Sequence, residues 1–364
     1  MEAAAAPAAP VANQWESHGT AAKTARCGDS DESATDYISR VPDAVLCTII
    51  SLLPTKDGGR TQVFSRRWRP LWSAAPLNLE VRLPHPGRGV PIRTSSVFPD
   101  AASEVISKHP GPARRFCFHG LCPGDLHDQA ESWFRSRALA KLQELDVGYT
   151  SCDERNPGRN PLPPSALRSA PTLLAAKISS CVLPREMVPS MGFDLLQRLS
   201  LISVYISTFL LVIEDVPRLV RILMPFGIRE NCGTIRVICA PKLEILGPLL
   251  PVVSKLLVSQ GVSSADLANS MHTVKILALR CCGYELDGVL SILRRFPCLE
   301  KLYIIFHKHY ETDAKIEPQY DRLYPIECLQ THLKTMVFER FVGHDKQLDF
   351  AKFFVLNAKV LKNM

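Results

Sequence analysis

The feature that most narrows what this chain folds into is a spaced apolar triplet that recurs beyond residue 140. The unit is an apolar residue, two positions, a second apolar residue, one position and a third. It reads Leu142-Leu145-Val147, Leu173-Ala176-Ile178, Leu196-Leu199-Leu201 and Leu219-Ile222-Met224, then Val253-Leu256-Val258, Val274-Leu277-Leu279, Leu299-Leu302-Ile304 and Leu333-Met336-Phe338. Apolar residues two apart suit a strand with one buried face. Pro171, Pro217, Pro241 and Pro297 each stand two residues before a leucine. Proline cannot continue a helix and is tolerated at the first residue of a strand. Each unit therefore reads as a helical or irregular return segment, a proline stop and a strand. Apolar triplets also arise by chance in a leucine-rich chain, but chance rarely repeats a proline offset four times.

The units start roughly 20 to 34 residues apart, overlapping the period of about 20–29 of leucine-rich repeats. Stacking them places all the strands in one parallel sheet lining a horseshoe. The expected fold class is α/β, a helical N-terminal module followed by this solenoid. With 364 residues, 46% of them hydrophobic and 22% charged, the chain can bury a full core and has an ordinary globular composition. A net charge of +7 without a clustered basic face does not argue for nucleic acid. The 12 cysteines are scattered and no CxxC pair occurs, which points to reduced thiols in the cytoplasm or nucleus and not to a secreted disulfide scaffold. The start, MEAAAAPAAP, lacks the basic and apolar segments of a signal peptide. The longest largely apolar run, near Leu201 to Ile213, is too short to span a bilayer, so no membrane is expected.

Residues 1–34 are rich in Ala, Pro, Ser, Gly and charge, a composition expected to stay disordered. Pro84 to Pro99 and Asp153 to Pro164 read as loops. Between them and the tail lie two helical patterns. After Pro42, the residues Val45, Ile49, Leu52 and Leu53 share a helical face, widened by Leu46 and Ile50. Pro54 and a turn over Thr55 to Gly59 end that helix, and a second runs from about Thr61 to Trp72 with Phe64, Trp68, Leu71 and Trp72 on one face.

The stretch Val41-Pro42-Asp43, Ile49 to Asp57 and Val63-Phe64-Ser65-Arg66-Arg67-Trp68-Arg69-Pro70-Leu71-Trp72 closely resembles an F-box, with Val41 where Leu is usual and Phe64 where a smaller residue is usual. The likeness is to the large plant group of F-box proteins with leucine-rich repeats. Cys328 to Lys334 with Phe350 to Ala358 resembles the FBD module of the same group, here shorter than usual. The domain plan is then a tail over 1–34, an F-box over 35–80, repeats over 81–315 and a truncated FBD-like module over 316–364. A truncated end is expected to leave the last apolar layer thinly covered.

The resemblance implies a Skp-family adaptor and, through it, a cullin as partners, with a protein substrate whose identity is unreadable. It implies no chemistry by the chain itself, and neither cofactor nor metal. Adaptor contact is expected at Val41, Pro42, Val45, Leu46, Ile49, Leu53 and Pro54, aided by Val63, Ser65 and Trp68. Binding partners outside any ligase, or acting as a truncated variant that competes for the adaptor, stays open as an alternative. Cys117, His119, Cys122 and His127 are close in sequence, but their spacing fits no common zinc finger. Because strand side chains alternate, the residues between the apolar positions face out. They form an expected concave ladder, acidic at Glu144 and Asp146, then basic at Lys177, Arg198, Arg221, Lys255 and Lys301, with Tyr303 beside the last. Such a ladder suits an acidic or phosphorylated substrate segment.

Overall fold

The computed structural model describes residues 37–82, 98–120, 124–149, 160–183, 192–206, 210–224, 234–251, 255–259, 270–281, 285–307 and 325–364. The N-terminal tail and most of both expected loops lie outside these residues. The chain divides into two units, one ending at Val41 and the other running from Pro42 to Met364. In the first, the described part is a short 3-10 turn over Ile38–Arg40 with Tyr37 and Ile38 exposed.

The second unit opens with helices α1 (Asp43–Leu52), α2 (Thr55–Arg60) and α3 (Trp68–Ala74). The segment expected as a turn, residues 55–59, is helix α2 instead. The cause is a tertiary contact: a Cβ on Gly58 would stand 2.5 Å from Cζ3 of Trp72. The glycine that weakens a helix locally is what lets this turn of helix lie against the indole. Leu46, Ile50, Trp68 and Leu71 form the interior of the module, and Arg67 ties α3 to α1 through Asp43, 2.6 Å away.

Next come β1 (Leu77–Arg82), α4 (Pro99–Lys108), β2 (Ala113–Gly120), α5 (Gly124–Arg135), β3 (Glu144–Tyr149) and β4 (Ala175–Ser179). They are followed by β5 (Val182–Leu183), β6 (Arg198–Ile202), β7 (Tyr205–Ile206), β8 (Leu210–Glu214), β9 (Arg221–Leu223), β10 (Thr234–Ile238), β11 (Ile245–Leu249) and β12 (Lys255–Ser259). The chain closes with β13 (Ile276–Cys281), α6 (Leu286–Leu293), β14 (Lys301–Phe306), α7 (Glu327–Thr331), β15 (Thr335–Glu339) and α8 (Asp345–Asn357). The boundary expected after residue 80 falls within β1.

Ten strands form one sheet in the order β1-β2-β3-β4-β6-β9-β11-β13-β14-β15, and every pairing in it is parallel. One row of side chains runs in register across all ten: Leu79, Phe116, Leu145, Ala176, Leu199, Ile222, Leu246, Leu277, Leu302 and Met336. All ten are buried. This is the expected parallel repeat sheet, with two differences. The unit at Val253-Leu256-Val258 is not in it. Its strand, β12, pairs with β10, which pairs with β8, in a separate three-stranded sheet. The main-sheet strand of that repeat is β11, introduced by Leu243. Among the described residues, the return segments between β4 and β13 contain strands in place of the expected helix or irregular coil, while α4, α5, α6 and α7 serve as returns toward the two ends.

The prolines act differently from the expected strand start. In Ala170-Pro171-Thr172-Leu173, Val216-Pro217-Arg218-Leu219, Ala240-Pro241-Lys242-Leu243 and Phe296-Pro297-Cys298-Leu299, the leucine N–H donates to the carbonyl three residues back, at 3.1–3.2 Å. Proline is the second residue of a tight turn, where its fixed φ is already correct. The turn swings the chain into the sheet and sends the leucine inward.

At the C-terminal end, α8 lays Phe350 and Phe354 against the last repeat, with Phe350 5.9 Å from Phe306 and 6.4 Å from Phe338, ring to ring. The chain then adds a further rung to the sheet, Lys362 N–H donating to the Lys334 carbonyl at 2.8 Å and Met336 N–H to Asn363. The last apolar layer is thus covered, contrary to the thin cover expected there. Phe350→Ala is expected to cost about 3–5 kcal/mol in denaturant unfolding, with amide exchange accelerated first in β14 and β15.

Candidate protein-interaction surfaces

The first surface is on the helical module. An amphipathic helix ten residues long buries one stripe, and in α1 that stripe is Leu46 and Ile50. A second stripe, Val45, Ile49 and Leu52 at i, i+4 and i+7, stays exposed at 47%, 45% and 62%. Val63 and Phe64, after α2, are exposed further still. Clustered exposed aliphatic residues are uncommon on a finished surface. Of the residues expected in an adaptor contact, Pro42, Val45, Ile49, Val63 and Ser65 are exposed, and Leu53 and Pro54 are half-buried. Val41 lies in the other unit. Leu46, at 1%, and Trp68, at 9%, are interior: both face the helix–helix contact, so neither is free to touch a partner. The expected contact omits Leu52 and Phe64, although Leu52 lies on the same helical stripe as Val45 and Ile49.

The module is fixed to the repeats by its own helix end. The last carbonyls of a helix lack intrahelical donors. Asn78, on β1, reaches back with its amide and donates to the carbonyls of Ser51 and Leu53, at 2.5 and 3.0 Å. Arg114 adds a third bond to Ser51. His109 meanwhile hydrogen-bonds the Trp72 carbonyl at 3.0 Å near the end of α3.

The second surface is the outward face of the ten-stranded sheet. Register places Arg115, Glu144, Ala175, Arg198, Arg221, Ile245, Ile276 and Lys301 in one row; beside it Cys117, Asp146, Lys177, Ser200, Leu223 and Gly247 are in register, and beyond the irregularity in β11 Ala278 pairs with Tyr303. The expected ladder is therefore present in part. Lys255 is absent from it because β12 belongs to the other sheet. The charges also differ in how they are used. Glu144 lies 3.9 Å from Arg114 and from Arg115. Asp146 accepts from His119 Nε2 at 2.9 Å and from Lys177 Nζ at 3.2 Å. Burial pushes the Asp146 carboxyl up, but His119 and then Lys177 outweigh it and hold it below the ordinary carboxylate value. Gly148 leaves the space in which the His119 ring lies, since a Cβ there would meet His119 Nδ1 at 2.8 Å. Lys301 lies over the Tyr303 ring, 4.7 Å from its centre.

Of the cysteine–histidine group read from sequence, the fold brings Cys117 and His119 together, with Asp146 as a third ligand-type residue within 4.8 Å. Both Asp146 oxygens are already engaged in the bonds above. His127 is on α5, and Cys122 lies outside the described residues. Burial pushes the thiols of Cys181 and Cys328 up to about 12, which keeps them protonated and poor nucleophiles. No helix among the described residues is long and apolar enough to cross a membrane.

Residues 130–211 and 208–304 match a family model described as "FBD-associated F-box protein At5g56370, LRR repeats", and residues 321–364 match the FBD family. Among curated proteins of Arabidopsis thaliana, the chain is 30% identical over 136 residues to the F-box/FBD/LRR-repeat protein At5g53840, covering 36% of this chain and 28% of that protein. It is 29% identical over 154 residues to the F-box/LRR-repeat protein At3g59190, covering 41% and 38%. A shorter match, 58% over 45 residues, is to the F-box/FBD/LRR-repeat protein At4g00160, covering 12% and 10%. The matched stretches thus span well under half the length of these relatives.

The Asp146 cluster makes a pH prediction. A carboxyl whose folded pKa lies below its unfolded value adds stability that is complete above the unfolded value and is lost as pH falls through the folded one. The stability difference between wild type and Asp146→Asn is expected to shrink as pH falls through the ordinary Asp range of about 3.9 and below. Parallel denaturant titrations of the two proteins measure it.

Proposed function

We propose a role that proceeds from family: the chain belongs to the plant F-box proteins with leucine-rich repeats and an FBD module, and it acts as the substrate-recognition adaptor of a Skp–cullin–F-box ubiquitin ligase. The observation that carries the reading is the unpartnered stripe of Val45, Ile49 and Leu52. A helix that buries one apolar stripe inside its module and leaves a second one in water is built for another protein. Pro42, Leu53, Pro54 and Val63 complete the proposed Skp-family docking surface, and the cullin joins through that adaptor. The outward face of the repeat sheet takes the protein to be ubiquitinated, along Arg198, Arg221, Lys301 and Tyr303. The chain supplies surfaces and orientation, and the transfer chemistry belongs to the partners.

Orientation matters to this role. A ligase adaptor must hold its substrate in a defined place relative to the machinery. The Asn78 bonds to the end of α1 connect the docking module directly to the first strand of the recognition sheet.

Ile49→Asp places a charge in the proposed contact, where burying one aliphatic side chain is worth about 1.5–3 kcal/mol. Binding to purified Skp-family adaptor, read by calorimetry, is expected to weaken by about tenfold or more. Val355→Asp, on the exposed side of α8, is expected to leave it unchanged. Wild-type affinity in a folded Ile49→Asp protein would overturn the assignment. Recovery of the adaptor without cullin from cells would favour the alternative role, partner binding outside a ligase.

A further inference from the structure

Two arginines face each other on the open sheet with no counter-charge among the described residues. Arg198 and Arg221 are direct register partners on adjacent parallel strands, β6 and β9. Both are exposed, and among the described residues neither is paired with a carboxylate. Strand neighbours stand about 4.8 Å apart, and like charges directly opposite are destabilising. Their row neighbours, Ala175 on one side and Ile245 on the other, supply no compensating charge. The contrast with the same face one to three strands earlier is direct. There, Lys177 is held by Asp146, and Arg114 and Arg115 lie near Glu144.

On the far side of the pair the face turns apolar. Ile245 and Ile276 continue the row; beside it Leu223 pairs with Gly247, and Ala278 lies on the next strand across the irregularity in β11. The isoleucines, Leu223 and Ala278 are half-buried side chains pointing out of the sheet. Gly247 presents no side chain beside Leu223. A Cβ on it would run into the Ala278 backbone carbonyl oxygen, so the position cannot accept a larger residue without moving β13.

We infer that Arg198 and Arg221 form a phosphate clamp, and that the partner segment on this face carries a phosphorylated Ser or Thr followed or preceded by aliphatic residues. The inference rests on the reading that the open sheet face takes the protein partner, and it names that partner's chemistry. Two guanidinium groups present planar donor pairs, and a phosphomonoester offers nearly two negative charges and three acceptor oxygens to share between them. A single carboxylate can satisfy one fork but not two. Spacing fixes where the apolar contact falls. From Arg221 across Ile245 to Ile276 is two strand steps, about 10 Å, which an extended peptide covers in about three residues. The aliphatic residue therefore lies about three positions from the phosphorylated one.

The test uses the full chain bound to its Skp-family adaptor and three peptide libraries. Each has a fixed central residue, phosphoserine, serine or glutamate, and degenerate flanks. Wild type is expected to retain the phosphoserine library about tenfold over the other two, with aliphatic residues enriched about three positions from the centre. Arg198→Gln with Arg221→Gln is expected to abolish that preference while keeping adaptor binding and a melting temperature at or above wild type. Lys177→Gln is expected to retain the preference. If the double variant does not fold, the single variants carry the same comparison. Equal retention of the glutamate library, or an undiminished phosphoserine preference in a folded arginine variant, overturns the clamp. Loss of adaptor binding by wild-type chain would instead overturn the ligase reading and leave the clamp measurable on the chain alone.

Discussion

Everything in this molecule leans on one row of side chains, the in-register line from Leu79 to Met336 on the buried face of the ten-stranded sheet. Parallel strands need apolar cover, which here lies on one face, and a solenoid repeat touches little beyond its two neighbours. Each residue of the row therefore holds the next strand in register, and a ladder of backbone bonds beside it, Leu174 to Gln143, Gln197 to Leu174, Val220 to Gln197, Glu244 to Val220, keeps the same step. Such a stack has two open ends, and both are closed by elements with their own sequence character. Helix α8 and its phenylalanines cover one. At the other, helices α1 to α3 meet β1 through the Asn78 bonds. The module proposed to dock a partner thus also closes the sheet, which makes its position part of the solenoid's stability.

Most of the row is legible in the sequence, because burial on one face forces a period of two and a parallel stack forces repetition. The failure at Leu256 is instructive. A strand in the second sheet also buries alternate residues against the same core, so Leu256 and Val258 satisfy the triplet as well as any front strand. Alternation reports that one face is buried, not which sheet the strand joins. The proline offset does not separate the two cases either, since Pro251 stands before Val253 as Pro241 stands before Leu243. The true front strand is masked by Pro248, which occupies the third position of the triplet that Leu243 and Leu246 begin. A register shift in β11 then brings Leu249 opposite Leu279 in its place. The first two strands of the sheet escape the triplet for another reason. In β2 the first inward position is Ala113, too small to stand out, and β1 starts directly behind the helical pattern that ends in α3.

Site residues are legible to the extent that one element determines them. The exposed stripe of α1 follows from helical spacing, and Val45 and Ile49 follow with it. Spacing misplaces Leu46 and Trp68 because an apolar helix has two candidate faces, and only packing between α1 and α3 chooses the inner one. The charged ladder shows the same limit more strongly. Outward orientation follows from alternation, but whether a charge is used or free depends on which strands are neighbours. Asp146 occupies both His119 and Lys177 from flanking strands, and no local pattern shows it.

The middle repeats carry a further constraint that bears on the open face. Ser180, Ser203, Asp215 and Cys239 each follow a strand directly and have φ between 50° and 57°, a left-handed conformation that costs a non-glycine residue about 1–2 kcal/mol. The cost is offset by bonds that only this corner permits, with Ser180, Asp215 and Cys239 donating their N–H groups to the carbonyls of Ile202, Ile238 and Ser259 in the following repeats. After β4 and β6 the turned chain re-enters as the return strands β5 and β7, which pair with each other, while Asp215 and Cys239 end the return strands β8 and β10. Two stacked sheets then share one spacing of about 4.8 Å per repeat, whereas a helical return needs about 10 Å of width. Among the described residues, the returns behind β6, β9 and β11 are strands and place no helical wedge there. The front strands there are free to keep their closest approach, and Arg198 and Arg221 are held side by side by the geometry of the opposite face of the solenoid.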